Sequence, residues 1–121
     1  MLGRFSRTEL LLGHAAMEKL AQTTVAIFGI GGVGSYVAEG LARSGIGHFV
    51  LVDNDLVCLT NINRQIHATS KTVGKKKTEM MKQRILDIRN HHHHEGSSPF
   101  TGNRNSHTEL PGGRNHIHAI T

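Results

Sequence analysis

Cysteine is almost absent from this 121-residue chain. Cys58 stands alone, so no disulfide can form within it, and a reducing cytoplasm is the expected compartment. Aromatic residues are also scarce, with no tryptophan, one tyrosine and four phenylalanines. Long apolar runs are missing. Val25–Phe28 and Phe49–Val52 fall far short of the roughly 18–20 residues that a membrane-spanning helix needs. The three leucines after Glu9 are too few for a signal-peptide core. No G-x-x-x-x-G-K-[ST] occurs, which excludes the P-loop class. The length allows one domain and excludes a two-domain enzyme.

Apolar patterning stops abruptly. Residues 1–89 hold 40 apolar side chains, whereas 90–121 hold five, together with seven of the ten histidines. The whole formal charge of +5 belongs to the first segment. A basic balance favours polyanionic partners, either nucleotide phosphates or nucleic acid. The sequence therefore reads as a patterned module over 1–89 and a His/Gly/Asn-rich tail over 90–121 that cannot bury a core.

Within the module, Ser6-Arg7-Thr8-Glu9 has the spacing of a capping box and predicts a short helix that Gly13 interrupts. A second helix is predicted over His14–Gln22. Thr24–Phe28 and His48–Val52 read as strands buried on both faces, because they are β-rich and do not alternate. Between them Val33–Ser44 has helical spacing, with Gly45 as its stop. Asn54–Ser70 reads as loop with short helical turns, and helix returns over Val73–Ile88. The order β–turn–α–β, loop, α is α/β: a truncated Rossmann-like nucleotide-binding unit of parallel strands with flanking helices. The next strand is due after Ile88. A polar tail stands there instead, with the character of disorder, and its abruptness suggests a frameshifted or truncated reading frame.

Gly29-Ile30-Gly31-Gly32-Val33-Gly34 satisfies G-x-G-x-x-G between a predicted strand and a predicted helix. The first glycine permits the tight turn, the second admits phosphate to the backbone, and the third lets helix pack on strand. The helix N-terminus then offers free N–H groups to an anion. Asp53 lies 19 residues beyond Gly34, at the end of the second strand, where a carboxylate can accept bonds from ribose hydroxyls. Bland packing glycines and a carboxylate that merely ends a strand are the alternative. The segments after the second strand separate a nicotinamide-dependent oxidoreductase from an ATP-using enzyme. Asp53-Asn54-Asp55, Thr60-Asn61-Ile62-Asn63-Arg64-Gln65 and Val73-Gly74-Lys75-Lys76-Lys77 bring asparagine, arginine and lysine towards one pocket, as the charge of a triphosphate requires.

These segments, together with Arg4-Phe5-Ser6-Arg7, resemble the ThiF/MoeB/HesA superfamily, the ubiquitin-activating-enzyme-like adenylating enzymes, across residues 4–88. Thr60–Ala68 and the G-I-G-G-V-G-S turn look most like the tRNA threonylcarbamoyladenosine dehydratase branch. The resemblance implies that Gly29, Gly31, Gly32 and Gly34 lie near the ATP phosphates and adenosine, and that Asp53 holds the ribose. It implies phosphate contacts for Asn61, Arg64 and Lys77, with Gln65 close by and Asp55 supporting the loop. Arg7 would enter the site of a homodimeric partner.

The implied reaction is attack of a substrate carboxylate on the α-phosphate of Mg-ATP, then displacement of AMP. In the dehydratase branch the carboxylate belongs to modified adenosine in tRNA, and ring closure completes the reaction. DNA and membranes are not expected partners. A sulfur-carrier-protein adenylyltransferase is the alternative within the superfamily. The family's Mg²⁺-binding aspartate and its substrate-recognition half have no counterpart here, so this chain itself is expected to be inactive.

Other features have blander readings. Cys58, in Leu56-Val57-Cys58-Leu59, is expected to be a buried structural thiol. Lys75 and Lys76 are expected on a solvated face. His67 either approaches the site or packs the loop. His91–His94 can chelate metal without fixed geometry, and no physiological metal site is assigned to it.

Overall fold

The computed structural model describes residues 3–89 and 117–120. The elements run α1 (Ser6–Leu12), α2 (His14–Gln22), β1 (Thr24–Phe28), α3 (Gly32–Ser44), β2 (His48–Val52), a 3₁₀ turn (Leu59–Asn63), α4 (Lys77–Arg89) and β3 (Ile117–Ile120). Both predicted strands have the expected bounds. The β-branched and aromatic runs end at glycine or at a polar residue, and nothing in the flanks competes for them.

The three strands form one parallel sheet in the order β1-β2-β3. The register aligns Val25 with Phe49 and Ile117, and Ile27 with Leu51 and Ala119. Strand side chains alternate between faces, so these six residues share one face. Helices α3 and α4 pack against each other and over that face, enclosing a core of Ile27, Ile30, Ala38, Ala42, Ile46, Phe49, Leu51, Met81, Ile85 and Ile117. The opposite face carries Ala26, Phe28, Val50, Val52 and Ile120, and Phe28 is 79% exposed. The expectation of strands buried on both faces is thus corrected. Among the described residues β1 is an edge strand, and both helices lie on the same side of the sheet. Beside β1 opens a groove of about 600 Å³, lined by Val25, Phe28, Gly29, Val33 and Val37 among others.

Three boundaries differ from the sequence reading. Ser6 is the first helical residue of α1 rather than its cap; Phe5 takes the cap position and no side chain bonds the helix end. Helix α4 begins at Lys77 rather than Val73. Residues 74–76 instead pair back on the 56–57 segment, through Gly74 N–H to Val57 O at 2.8 Å, Val57 N–H to Lys75 O at 2.8 Å and a Leu56–Lys76 bridge. The sheet resumes after all, at Ile117. Its apolar IHAI run pairs with β2, and Asp53 N–H bonds Ile120 O at 3.1 Å. Ile117–Ile120 are therefore strand, not disordered tail. The expectation of disorder over 90–116 and the His91–His94 run lie outside the described residues.

The other end of the sheet is held by α2 and the C-terminus of α4. Gly47 N–H bonds Leu20 O at 3.0 Å, the Arg89 guanidinium donates to Gly47 O at 2.8 Å, and the Arg4 guanidinium donates to Ile88 O. Helix α1 packs on α2.

Candidate functional site

Everything that the sequence marked as nucleotide chemistry, apart from Arg7, gathers at the carboxyl ends of β1 and β2. Gly29 leaves β1 with φ +91°, a conformation that side chains resist, and its N–H bonds Val52 O at 2.8 Å. Gly34 is required by contact. A Cβ there would stand 1.8 Å from the Gly29 carbonyl oxygen, so the first turn of α3 and the end of β1 can approach only without one. At Gly31 and Gly32 a Cβ would meet nothing nearer than 3.7 Å. The surface over the α3 N-terminus is therefore open backbone. No side chain among the described residues caps that helix, which leaves its first N–H groups for an external anion.

Asp53 ends β2 and is used twice. Its Oδ2 accepts the Ile30 N–H at 2.6 Å and its Oδ1 accepts the Asp55 N–H at 2.8 Å. Burial alone would raise its pKa. The two N–H donors, helped by the Lys77 charge, outweigh burial and hold the carboxyl below the ordinary range. It is an anion wherever the protein is folded at neutral pH.

Lys77 opens α4, with its N–H on Asp55 O at 3.1 Å and its Nζ 3.9 Å from Asp55 Oδ2. Its side chain is buried although it carries charge, which brings an ammonium to the floor of the site. Arg64 is exposed. One of its terminal nitrogens, Nη1, donates to Thr60 O and to Asn63 Oδ1, both at 3.1 Å, while its alkyl stem lies alongside Gly32. Gln65 is buried, with Nε2 beside Gly31 and Oε1 lacking a partner among the described residues. An orphaned acceptor next to an uncapped helix N-terminus and a rigid carboxylate suits a ligand that carries both donors and phosphate. Asn61 is buried and uses its Oδ1 to accept the Cys58 N–H at 2.8 Å, fixing the 3₁₀ turn that aims Arg64 and Gln65.

Arg7 does not join this cluster. It is exposed on α1, which follows Arg4 at the opposite end of the sheet. One expectation falls differently. Cys58 is exposed rather than buried, because in the run 56–59 only Val57 turns inward, while Leu56 and Leu59 also face out. One residue of the site is not legible in the sequence. Ile30, a variable position of the glycine motif, is fully buried and anchors the turn to the core. His67, for which the sequence leaves two readings open, is 3% exposed and bonds the Ile30 carbonyl oxygen through Nε2 at 2.7 Å. It approaches the site through that backbone.

The ThiF family profile matches residues 5–108. The Bacillus subtilis tRNA threonylcarbamoyladenosine dehydratase is 56% identical over 88 residues, covering 73% of this chain and 35% of the relative. The Escherichia coli sulfur carrier protein ThiS adenylyltransferase is 38% identical over 88 residues, covering 70% of this chain and 35% of that protein. Among solved structures, the E. coli dehydratase TcdA in complex with ATP superposes with a TM-score of 0.70 at 50% identity, over 71% of this chain and 35% of that one. The chain thus spans about a third of the length of the curated relatives that it matches.

Proposed function

The chain belongs to the ThiF family, and on that footing we propose that it is the nucleotide-binding part of an ATP-dependent adenylating enzyme acting on threonylcarbamoyladenosine in tRNA. The observation that carries this reading is the open glycine cradle beside the doubly bonded Asp53 carboxylate. In it Asp53 accepts the ribose hydroxyls, while Gly29, Gly31, Gly32 and Gly34 bring backbone to the phosphates. Lys77 and Arg64 offset phosphate charge, and Asn61 and Gln65 line the same loop. Bound ATP supplies an α-phosphate that a carboxylate can attack, with pyrophosphate leaving. The chain's own part is positioning and charge neutralisation, in a frame built before the nucleotide arrives.

Arg7 lies outside this cluster, exposed on α1, which leaves it for a partner's site in a homodimer. No group of three His, Cys, Asp or Glu side chains that could hold a metal lies among the described residues. Mg²⁺ would accompany the triphosphate and offset part of its charge. The domain boundary we adopt follows the fold: residues 1–89 with β3 added from the tail. No described helix is long and apolar enough to cross a membrane, and tRNA chemistry favours the cytoplasm.

The greater identity to the dehydratase, 56% against 38% for the carrier-protein enzyme, favours tRNA over a carrier protein as substrate. Two chimeras test this. Residues 1–88 would replace the matching segment of the B. subtilis dehydratase and, separately, of the E. coli ThiS adenylyltransferase, and pyrophosphate exchange would be measured in each chimera with that enzyme's own substrate. Exchange restored only in the adenylyltransferase chimera would overturn the substrate assignment. Binding of a nicotinamide dinucleotide in preference to ATP would overturn the adenylation reading.

A further inference from the structure

Ile30 has both backbone polar groups taken by side chains of the site. Its N–H donates to Asp53 Oδ2 at 2.6 Å, and its carbonyl accepts from His67 Nε2 at 2.7 Å. The carbonyl can only accept, so His67 is the Nε2–H tautomer. Its Nδ1 is then an acceptor, buried and without a partner among the described residues. The main chain at His67 is held by Thr72, whose hydroxyl donates to the His67 carbonyl at 2.7 Å.

The Ile30 carbonyl shares its peptide plane with the Gly31 N–H. In a planar trans peptide the two point in opposite directions. Gripping the carbonyl from the His67 side therefore turns the Gly31 N–H outward, and no protein acceptor for it is found among the described residues. A Cβ on Gly31 would meet only Gln65 Nε2, at 3.7 Å, so the ground in front of this donor is open.

We propose that His67 is a positioning residue of the nucleotide site: by holding the Ile30 carbonyl it aims the Gly31 N–H at the bound phosphate and keeps Ile30 where its own N–H orients Asp53. This rests on the proposed nucleotide binding and extends it to a residue with no direct contact with nucleotide. His67 acts through backbone, Asp53 acts on ribose, and Ile30 joins them.

The test uses the 121-residue chain with His67→Gln, whose amide nitrogen can stand where Nε2 stood, and His67→Asn, whose shorter side chain cannot reach. Three readouts are taken: ATP affinity, the NMR titration of the Asp53 carboxyl, and the Gly31 amide chemical shift. His67→Asn should weaken ATP binding by about 3- to 10-fold, raise the Asp53 titration towards the ordinary carboxylate range and shift the Gly31 amide. His67→Gln should keep all three near the original. A merely structural histidine would lower the melting temperature in both variants and leave Asp53 and Gly31 alike in both. That result overturns the proposal. ATP binding by the unsubstituted chain tests the nucleotide reading separately. The Asp53 and Gly31 signals decide the His67 link whether or not ATP binds.

Discussion

Gly34 faces the Gly29 carbonyl oxygen so closely that a methyl group on Gly34 would lie 1.8 Å from it. The obstacle is backbone on both sides, so no rotamer change relieves it. Gly34→Ala should cost at least about 1–3 kcal/mol of folding free energy, read as a lower denaturant midpoint. Gly32→Ala is the control, since its nearest neighbour would be the Arg64 stem at 4.0 Å. It should leave the fold intact and weaken ATP binding. Equal stability loss in both would contradict the assignment of packing to one glycine and ligand access to the other.

Asp53 titrates below the ordinary aspartate value near 3.9. A depressed carboxyl contributes stability that is fully present above the unfolded pKa and lost as pH falls through the folded one. Acid unfolding followed from pH 6 downwards should therefore show a drop below about pH 4 that Asp53→Asn removes. The same variant should bind ATP and AMP more weakly, because the ribose contact is common to both. Unchanged AMP binding would remove Asp53 from the ribose.

His67 has the opposite chemistry. Burial lowers its pKa, and the Lys77 and Arg84 cations push the same way against the Ile30 bond and the Asp53 charge. The neutral ring is the folded form. Its contribution is complete above the unfolded histidine value near 6.5 and is lost as pH falls from there towards the lowered folded value. Denaturant midpoints between pH 7.5 and 5 should fall for the unsubstituted chain and change less for His67→Gln. Parallel curves would mean that His67 does not titrate differently on unfolding.

Arg64 and Lys77 carry the charge of the site from opposite burial. A charge-assisted bond to phosphate is worth roughly 1.5–3 kcal/mol, so Arg64→Ala and Lys77→Ala should each weaken ATP binding by about 10- to 100-fold. Arg64 is exposed, and its loss should leave the melting temperature nearly unchanged. Losses under about threefold for both would mean that the phosphates lie elsewhere.

Amide exchange tests the sheet. The strand order places β2 in the centre, so its N–H groups should exchange slowest, with protection extending to the Ile117–Ile120 amides that bond β2. On β1 the amides that face away from β2 should exchange fast. The chain should also show no pyrophosphate exchange by itself. Absent protection over 117–120 would return β3 to the tail.

The legible parts of this protein are those in which local chemistry and tertiary need coincide. β1 and β2 are short β-rich runs ended by glycine or aspartate, and the glycine motif with Asp53 marks the site without knowledge of any contact. β3 is hidden because IHAI is only four residues long and comes after a polar stretch, so periodicity has nothing to work on. Helix α4 reads as starting too early because residues 74–76 are claimed by the 56–57 segment, a nonlocal pairing invisible to local spacing. The apolar neighbours of Cys58 suggest burial, but alternation along the loop turns Val57 inward and Cys58 out. Ile30 and His67 meet across 37 positions, and neither residue type advertises that bond.

The sheet adds its strands in one direction, from β1 to β2 to β3. A β–α–β crossover is right-handed in nearly every protein, so successive steps in one direction deliver their helices to a single side. One way to roof Phe28 and Val50 is for a chain of this kind to reverse and lay a further strand beyond β1, in the groove beside Val33 and Val37. The same handedness then carries the following helix to the bare side. Where the direction of winding changes, connections diverge and open a crevice at the carboxyl ends of the strands. The glycine turn already stands on that rim, so the roof and the far wall of the nucleotide crevice would be made in one act of winding.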